Sequence, residues 1–184
     1  VLAMTSCTSK QNTVAGVRTE ALDDEAWASS MWISAADAEV VSVKVPDDRW
    51  HAASGASWFV SNQKNEGKVV SAKWMTTGLG VFEIYVNGKP VGNEFLKPGF
   101  THYAKTKYSF TYDITDAINT ADGAENVLSA QLTPGWWADK IITPGGDIGM
   151  IGKKCAFRGV LELVYADGSR KYYGTDLDNW KAGV

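Results

Sequence analysis

Histidine and cysteine are scarce in this chain, two of each among 184 residues, and each scarcity closes off a kind of chemistry. His51 and His102 have no further Cys or His at zinc-ligand spacing, so the sequence offers no transition-metal centre. Cys7 sits in the N-terminal stretch and Cys155 at the start of a strand pattern; they make no disulfide framework, and the redox compartment stays open on this count. No run of about eighteen apolar residues occurs, so no membrane-spanning helix is encoded. Neither sign of charge dominates, since 18 basic residues against 21 acidic leave a net of −3. With no basic stripe interleaved with aromatics, the chain does not read as a nucleic-acid binder.

Nucleophilic catalysis also lacks its parts. There is no Gly-x-Ser-x-Gly elbow, and Gly78-Leu79-Gly80 and Pro144-Gly145-Gly146 lack the strand-to-helix setting of a phosphate loop. Glycoside hydrolysis needs two carboxylates across a cleft. Glu83, Glu94, Asp113, Asp139, Asp147 and Glu162 are available, yet their spacing nominates no pair. Glu83 and Glu162 alternate with apolar positions, the pattern of a solvated sheet face.

What is present is β signal. A 45% hydrophobic content over this length allows one substantial core and requires no second. Phe82, Ile84 and Val86 alternate with Val81, Glu83 and Tyr85, and Asn87-Gly88 follows, which predicts a hairpin through a type I′ turn over Val81 to Val91. Further strands are expected at Ala56 to Ser61, at Val69 to Thr76 with Val70, Ala72 and Trp74 on one face, and at Tyr108 to Tyr112. Glu125 to Leu132 should bury Leu128, Ala130 and Leu132. Cys155 to Tyr165 and Arg170 to Thr175 flank Asp167-Gly168, with Phe157, Leu161, Leu163 and Tyr165 inward and Arg158 and Glu162 outward. Asp113 to Asn119 reads as one helical turn capped by Asp113 or Thr115. The expected fold is all-β, an antiparallel β-sandwich of jelly-roll or galactose-binding-like form, over residues 27–184 as a single domain. Residues 1–26 read as an N-terminal tail ending in a short helix around Ala21 to Ala28, its acidic run Asp23-Asp24-Glu25 opposing the helix dipole.

Two segments carry other expectations. The start VLAMTSCTSKQN is similar to the end of a bacterial lipoprotein signal, which implies export to the periplasm or cell surface with a lipid anchor on Cys7 and a polar tether after it; an ordinary frayed terminus is the other reading. Thr133 to Lys154 holds two prolines and five glycines and no clean period, and loops of that length are functional or mobile. Its Trp136-Trp137 pair, if exposed, suits carbohydrate stacking, whereas any one of the 8 tryptophans taken alone reads as core filler. Asn93-Glu94 after the hairpin, with loop carbonyls from Thr133 to Ala138 and with Asp139, offers the oxygen ligands of a calcium site; a plain polar turn is the alternative.

The ordered motifs resemble the N-terminal β-sandwich domain of bacterial α-L-rhamnosidases of glycoside hydrolase family 78. The series runs Gly78 to Glu83, Asn87-Gly88, Leu96 to Tyr103, Tyr112 to Asp116, Glu125 to Leu128, Gly135 to Trp137 and Asp167 to Ser169, across about Ser57 to Gly183. The resemblance implies a non-catalytic accessory domain. Hydrolysis would belong to a downstream (α/α)6 barrel of the same polypeptide, and the partners would be that barrel and L-rhamnose or rhamnosylated glycans. A purely structural sandwich between domains is the second reading, and a hydrolase in its own right the third. Calcium-dependent rhamnose binding in related domains places candidate metal ligands at Asn93, Glu94 and Pro134, the last through its backbone carbonyl because it has no side-chain oxygen. Candidate sugar contacts are Asn93, Glu94, Tyr103, Trp136, Trp137 and Asp139. Trp137 stands where the family usually has Tyr.

Overall fold

The structure, a computed structural model, describes residues 15–35, 42–44, 50–52, 56–139 and 151–183. Cys7 lies outside them. In chain order the strands are β1 (Val17–Arg18), β2 (Ser42–Lys44), β3 (Trp50–Ala52), β4 (Ser57–Lys64), β5 (Val69–Leu79), β6 (Val81–Val86), β7 (Lys89–Pro90), β8 (Phe110–Asp113), β9 (Glu125–Thr133), β10 (Ala156–Tyr165), β11 (Arg170–Gly174) and β12 (Trp180–Gly183). Two short helices, α1 (Asp24–Ala28) and α2 (Gly135–Ala138), and a 3-10 turn at Thr115–Ala117 interrupt them. One sheet runs β1-β8-β5-β10-β11 and the other β12-β4-β9-β6-β7, while β2 and β3 form a separate ribbon. All the strand pairings are antiparallel, and the architecture is the expected sandwich.

Local chemistry explains the regular parts. Asn87 and Gly88 take φ of 50° and 77°, the left-handed pair that turns β6 into β7 with the twist of the strands. Phe82, Ile84 and Val86 of β6 then point inward beside Leu128, Ala130 and Leu132 of β9, all essentially without exposure. The facing sheet supplies Trp74, Tyr112, Phe157, Leu161 and Leu163. Phe157 stands between layers, its ring 5.9 Å from both Phe59 and Phe82. Each such side chain contributes about 1.5–3 kcal/mol on burial.

Three expectations are corrected. Val70 does not share the inner face with Ala72 and Trp74, because the pairing slips between Val164 and Tyr165: Val164 faces Ser71 and Tyr165 faces Val69. This bulge leaves Val70 unpaired and outward while Val69 is buried in its place. The tail does not reach residue 26, since Val17 and Arg18 pair with Asp113 and Tyr112, and Ala15 joins the core. The helix is shorter than Ala21 to Ala28 and begins after Asp23, whose Oδ1 accepts from the Ala26 amide at 3.0 Å.

That helix covers the outer face of the first sheet. Ala26 packs there on Met75 and Val160, and Arg158 stacks on Trp27 at 4.8 Å while donating to the carbonyls of Trp27 and Ser30. Glu162, expected on a solvated face, is only 5% exposed and pairs with Arg170 at 3.4 Å. The expected turn at Asp113 is the 3-10 turn, where Asp113 Oδ1 accepts from the Thr115 amide at 3.0 Å. Trp74 is fully buried, whereas Trp32 and Trp58 stay 36% and 40% exposed, so tryptophan is not uniformly core filler here.

Candidate functional site

The segment after β7 runs back along the free edge of β6. Val91 donates its amide to Ile84 O at 2.9 Å, and Phe82 donates to Lys97 O at 2.7 Å, so both ends of the 91–97 turn are tied to the same strand. From the other sheet, Ala15 donates to Pro90 O and Gly92 to Ala15 O, which draws β1 against the turn. Gly92 sits at φ 76°, where a Cβ would lie 2.5 Å from Tyr112 Cε1 and 2.6 Å from Glu94 Oε2; no larger residue fits this wrap.

Inside the wrap lies a group that the sequence did not announce. Lys97 is 1% exposed, and its ammonium meets Glu83 Oε2 at 2.9 Å, Val91 O at 3.2 Å and Glu94 O at 3.3 Å. Glu83 is therefore not a free carboxylate on a solvated face. Glu94 accepts from the Tyr112 hydroxyl at 2.7 Å and lies 3.4 Å from Arg18 Nη1. Burial pulls the Glu94 carboxyl upward, but the Tyr112 hydroxyl, the turn's own backbone and Arg18 outweigh it and hold the group below its usual range. Burial first, then the bond to Glu94, pushes the Tyr112 phenol far above its ordinary value.

These residues do not fit a calcium ion. A hard divalent cation takes about six to eight oxygens at roughly 2.3–2.6 Å. Here the Glu94 carboxylate is held by Tyr112 and Arg18, and its carbonyl faces the ammonium. Pro134 is buried and its carbonyl accepts from the Ala138 amide at 3.2 Å, inside α2. Asn93 is exposed. Among the described residues no cluster of three or more His, Cys, Asp or Glu side chains gathers at a metal-binding distance.

The remaining candidates form a second group around α2. Trp136 and Trp137 are half-buried, not the exposed pair that stacking would prefer. Trp137 donates its indole N–H to Lys154 O at 2.9 Å, and a Cβ on Gly152 would come within 2.0 Å of its Cε2, so backbone covers part of that ring. Tyr103, only 5% exposed, meets Trp137 edge to face at 5.2 Å and Phe100 at 5.9 Å. Asp139 is half-buried at the end of α2; burial and then its charge push the Cys155 thiol up to about 11.

Between the two groups the loop carries three apolar side chains outward. Phe95 is 89% exposed, Leu96 56% and Phe100 59%, on a stretch whose centre is anchored by buried Lys97. Leu96 holds φ 58°, a costly conformation for a residue with a Cβ. Only the apolar character of the Phe95-Leu96 run, beside Pro98-Gly99, could have flagged it in the sequence.

Residues 67–183 match the family model described as the alpha-L-rhamnosidase N-terminal domain. An alpha-L-rhamnosidase of Alteromonas sp. (strain LOR) is 32% identical over 177 residues, covering 95% of this chain and 18% of that protein. Another, from Streptomyces avermitilis, is 37% identical over 120 residues, 62% of this chain and 11% of that protein. The crystal structure of the native enzyme from Aspergillus terreus superposes with a TM-score of 0.74 at 25% identity, over 88% of this chain and 17% of that one. For the Streptomyces avermitilis alpha-L-rhamnosidase complexed with L-rhamnose the TM-score is 0.61 at 32% identity, over 72% and 12%. The chain thus spans less than a fifth of each of these relatives.

Proposed function

The chain belongs to the family of alpha-L-rhamnosidase N-terminal domains, and we propose on that premise that it is a non-catalytic accessory domain of a longer rhamnosidase. It packs against the catalytic (α/α)6 barrel of the same polypeptide and contacts rhamnose-containing glycans beside that contact. Residues 27–184, with β1 and the first turn of α1 ahead of them, act as one unit, exported and anchored through Cys7. The carboxylates favour a supporting role: Glu83 is paired with Lys97, Glu94 with Tyr112 and Arg18, Glu162 with Arg170, and Asp113 holds the Thr115 turn. None of these is poised over a cleft as a free acid or base.

The observation that carries the proposal is the outward trio Phe95, Leu96 and Phe100. Exposed aromatic and aliphatic side chains gathered on one loop mark an interaction surface, and a pinned backbone presents them at little ordering cost. Beside them, Asn93, Trp136 and the Tyr103-Trp137 pair supply polar and aromatic groups for a sugar, with Glu94 and Asp139 flanking.

The test pairs two arms. Phe95→Ser with Phe100→Ser should destabilise the isolated chain only slightly, through the lost Phe100–Tyr103 contact, while splitting the unfolding of the full polypeptide into separate transitions; an unaffected full polypeptide overturns the docking. L-rhamnose titrated into the isolated chain should change tryptophan fluorescence and release heat. Silence in both signals removes the sugar contact and leaves a purely structural sandwich. Release of nitrophenol from an aryl rhamnoside by the isolated chain would overturn the non-catalytic assignment.

A further inference from the structure

Lys97 answers a question that the Asn93-Glu94 turn poses, namely what holds its carbonyl and carboxylate oxygens together. A lysine ammonium has three N–H donors, and here it has three acceptors: one carboxylate oxygen of Glu83 and the carbonyls of Val91 and Glu94. The Tyr112 ring centroid lies 5.8 Å from the same nitrogen, adding the electron-rich face of a π-system. A buried charge persists only when it is paired and hydrogen-bonded, and this one is satisfied on every donor.

We propose that Lys97 is the resident cation of this edge. Its ammonium orders the 91–97 turn in the way that a bound hard cation would, so the turn neither needs nor takes up calcium. Three features support the exclusion. The carbonyls that a divalent ion would recruit already face the ammonium at 3.2–3.3 Å. Both carboxylates at the turn are taken, that of Glu83 by the ammonium at 2.9 Å and that of Glu94 by Tyr112 and Arg18. A divalent ion seated among these oxygens would lie within a few ångströms of a buried positive charge, and such repulsion is weakly screened away from water. Any ligand recognised at this edge is accordingly bound through hydrogen bonds and aromatic contacts, independently of metal. The proposal concerns the turn itself and stands whether or not sugar binds.

The experiment uses terbium(III) and calcium as probes on the chain. Tyr112 and the tryptophans near the edge should sensitise terbium luminescence if the ion enters the turn. The wild-type chain should give no saturable luminescence that calcium displaces, and the same Tm in chelator as in millimolar calcium. Saturable, calcium-displaced luminescence, or a calcium-dependent rise in Tm, overturns the proposal. Lys97→Met removes the charge at similar length and strands two carbonyls, so its Tm should fall by about 5 °C or more. A K97M chain as stable as the wild type would also overturn the proposal, and a K97M chain whose Tm calcium restores would support it. If K97M does not fold, the wild-type arms decide alone. Loss of rhamnose binding with no calcium effect would sink the sugar contact and leave this inference intact.

Discussion

The edge where β1 meets β7 is built on one buried charge, whereas at the edge where β11 meets β12 the charges lie outside. The first holds Lys97 at 1% exposure against Glu83, with Tyr112 and Arg18 on Glu94. The second is closed by the hydroxyls of Tyr165 and Tyr173, 2.9 Å apart, and by Glu66, which accepts from Tyr173 at 2.9 Å and pairs with Lys171; both ends of that pair are about half exposed. A hollow of about 180 Å³ remains there, lined by Gln63, Tyr173, Asp176, Asn179 and Trp180 among others. Both edges use a tyrosine on a glutamate. They differ in solvent access, and the difference should decide what each bond is worth, because water competes for every exposed partner and for almost none of the buried ones.

Two matched substitutions measure this contrast. Tyr112→Phe removes the hydroxyl from Glu94 in a setting where Lys97 and Glu83 are already committed, and should cost about 2 kcal/mol, the range for a buried bond to a charged group. Tyr173→Phe removes bonds to Tyr165 and Glu66 at the wetter edge and should cost about 1 kcal/mol or less. Chemical unfolding of both variants checks the ratio. Equal losses would mean that burial does not separate the edges.

The parts of this contrast legible in the sequence are those set by neighbours in the chain. Asn87-Gly88 fixed its own turn, and the alternation of Phe82, Ile84 and Val86 named its buried face, because turn chemistry and period are local properties. Val70 was misplaced because a bulge is decided by the partner strand, and Val164 and Tyr165 lie almost a hundred residues away. Val17 and Arg18 make a pairing only two residues long, too short to carry a period. The candidate site was half legible. Glu94 and Tyr103 stood out by their motif, but a lysine before Pro98-Gly99 reads as a solvated loop charge until the Glu83 carboxylate and two carbonyls are seen around it. Trp137 looked available because nothing near it in sequence tells that Gly152 lies across its ring.

Acid should expose the same contrast more gently. The folded chain holds the Glu94 carboxyl below its ordinary range, so the stability due to that charge is complete above the ordinary carboxylate range and fades as the pH falls through the depressed value. Asp176 at the other edge is also held low, against the pull of its burial, by the Asn179 side chain and by the amides of Asn179 and Asp178, and it loses stability in the same direction. Glu94→Gln should therefore flatten the acid limb of a stability-against-pH curve without removing it, the remainder belonging to Asp176 and other acids. An unchanged limb in this variant would place the acid sensitivity elsewhere.

The smallest effect is expected at Lys171. Its ammonium and the Glu66 carboxylate both sit in solvent, and the bond raises the lysine's proton affinity and lowers that of the glutamate, a mutual preference that salt screens. Exposed pairs of this kind contribute little because ordering two long side chains offsets most of the attraction. Lys171→Met should leave Tm unmoved and should abolish only whatever slight salt dependence Glu66 contributes. Tyr173 still donates to Glu66 in that variant, so the edge keeps its hydroxyl chain. A clear fall in Tm for Lys171→Met would make the outer edge as dependent on charge as the inner one, and the distinction drawn from Lys97 would lose its physical basis.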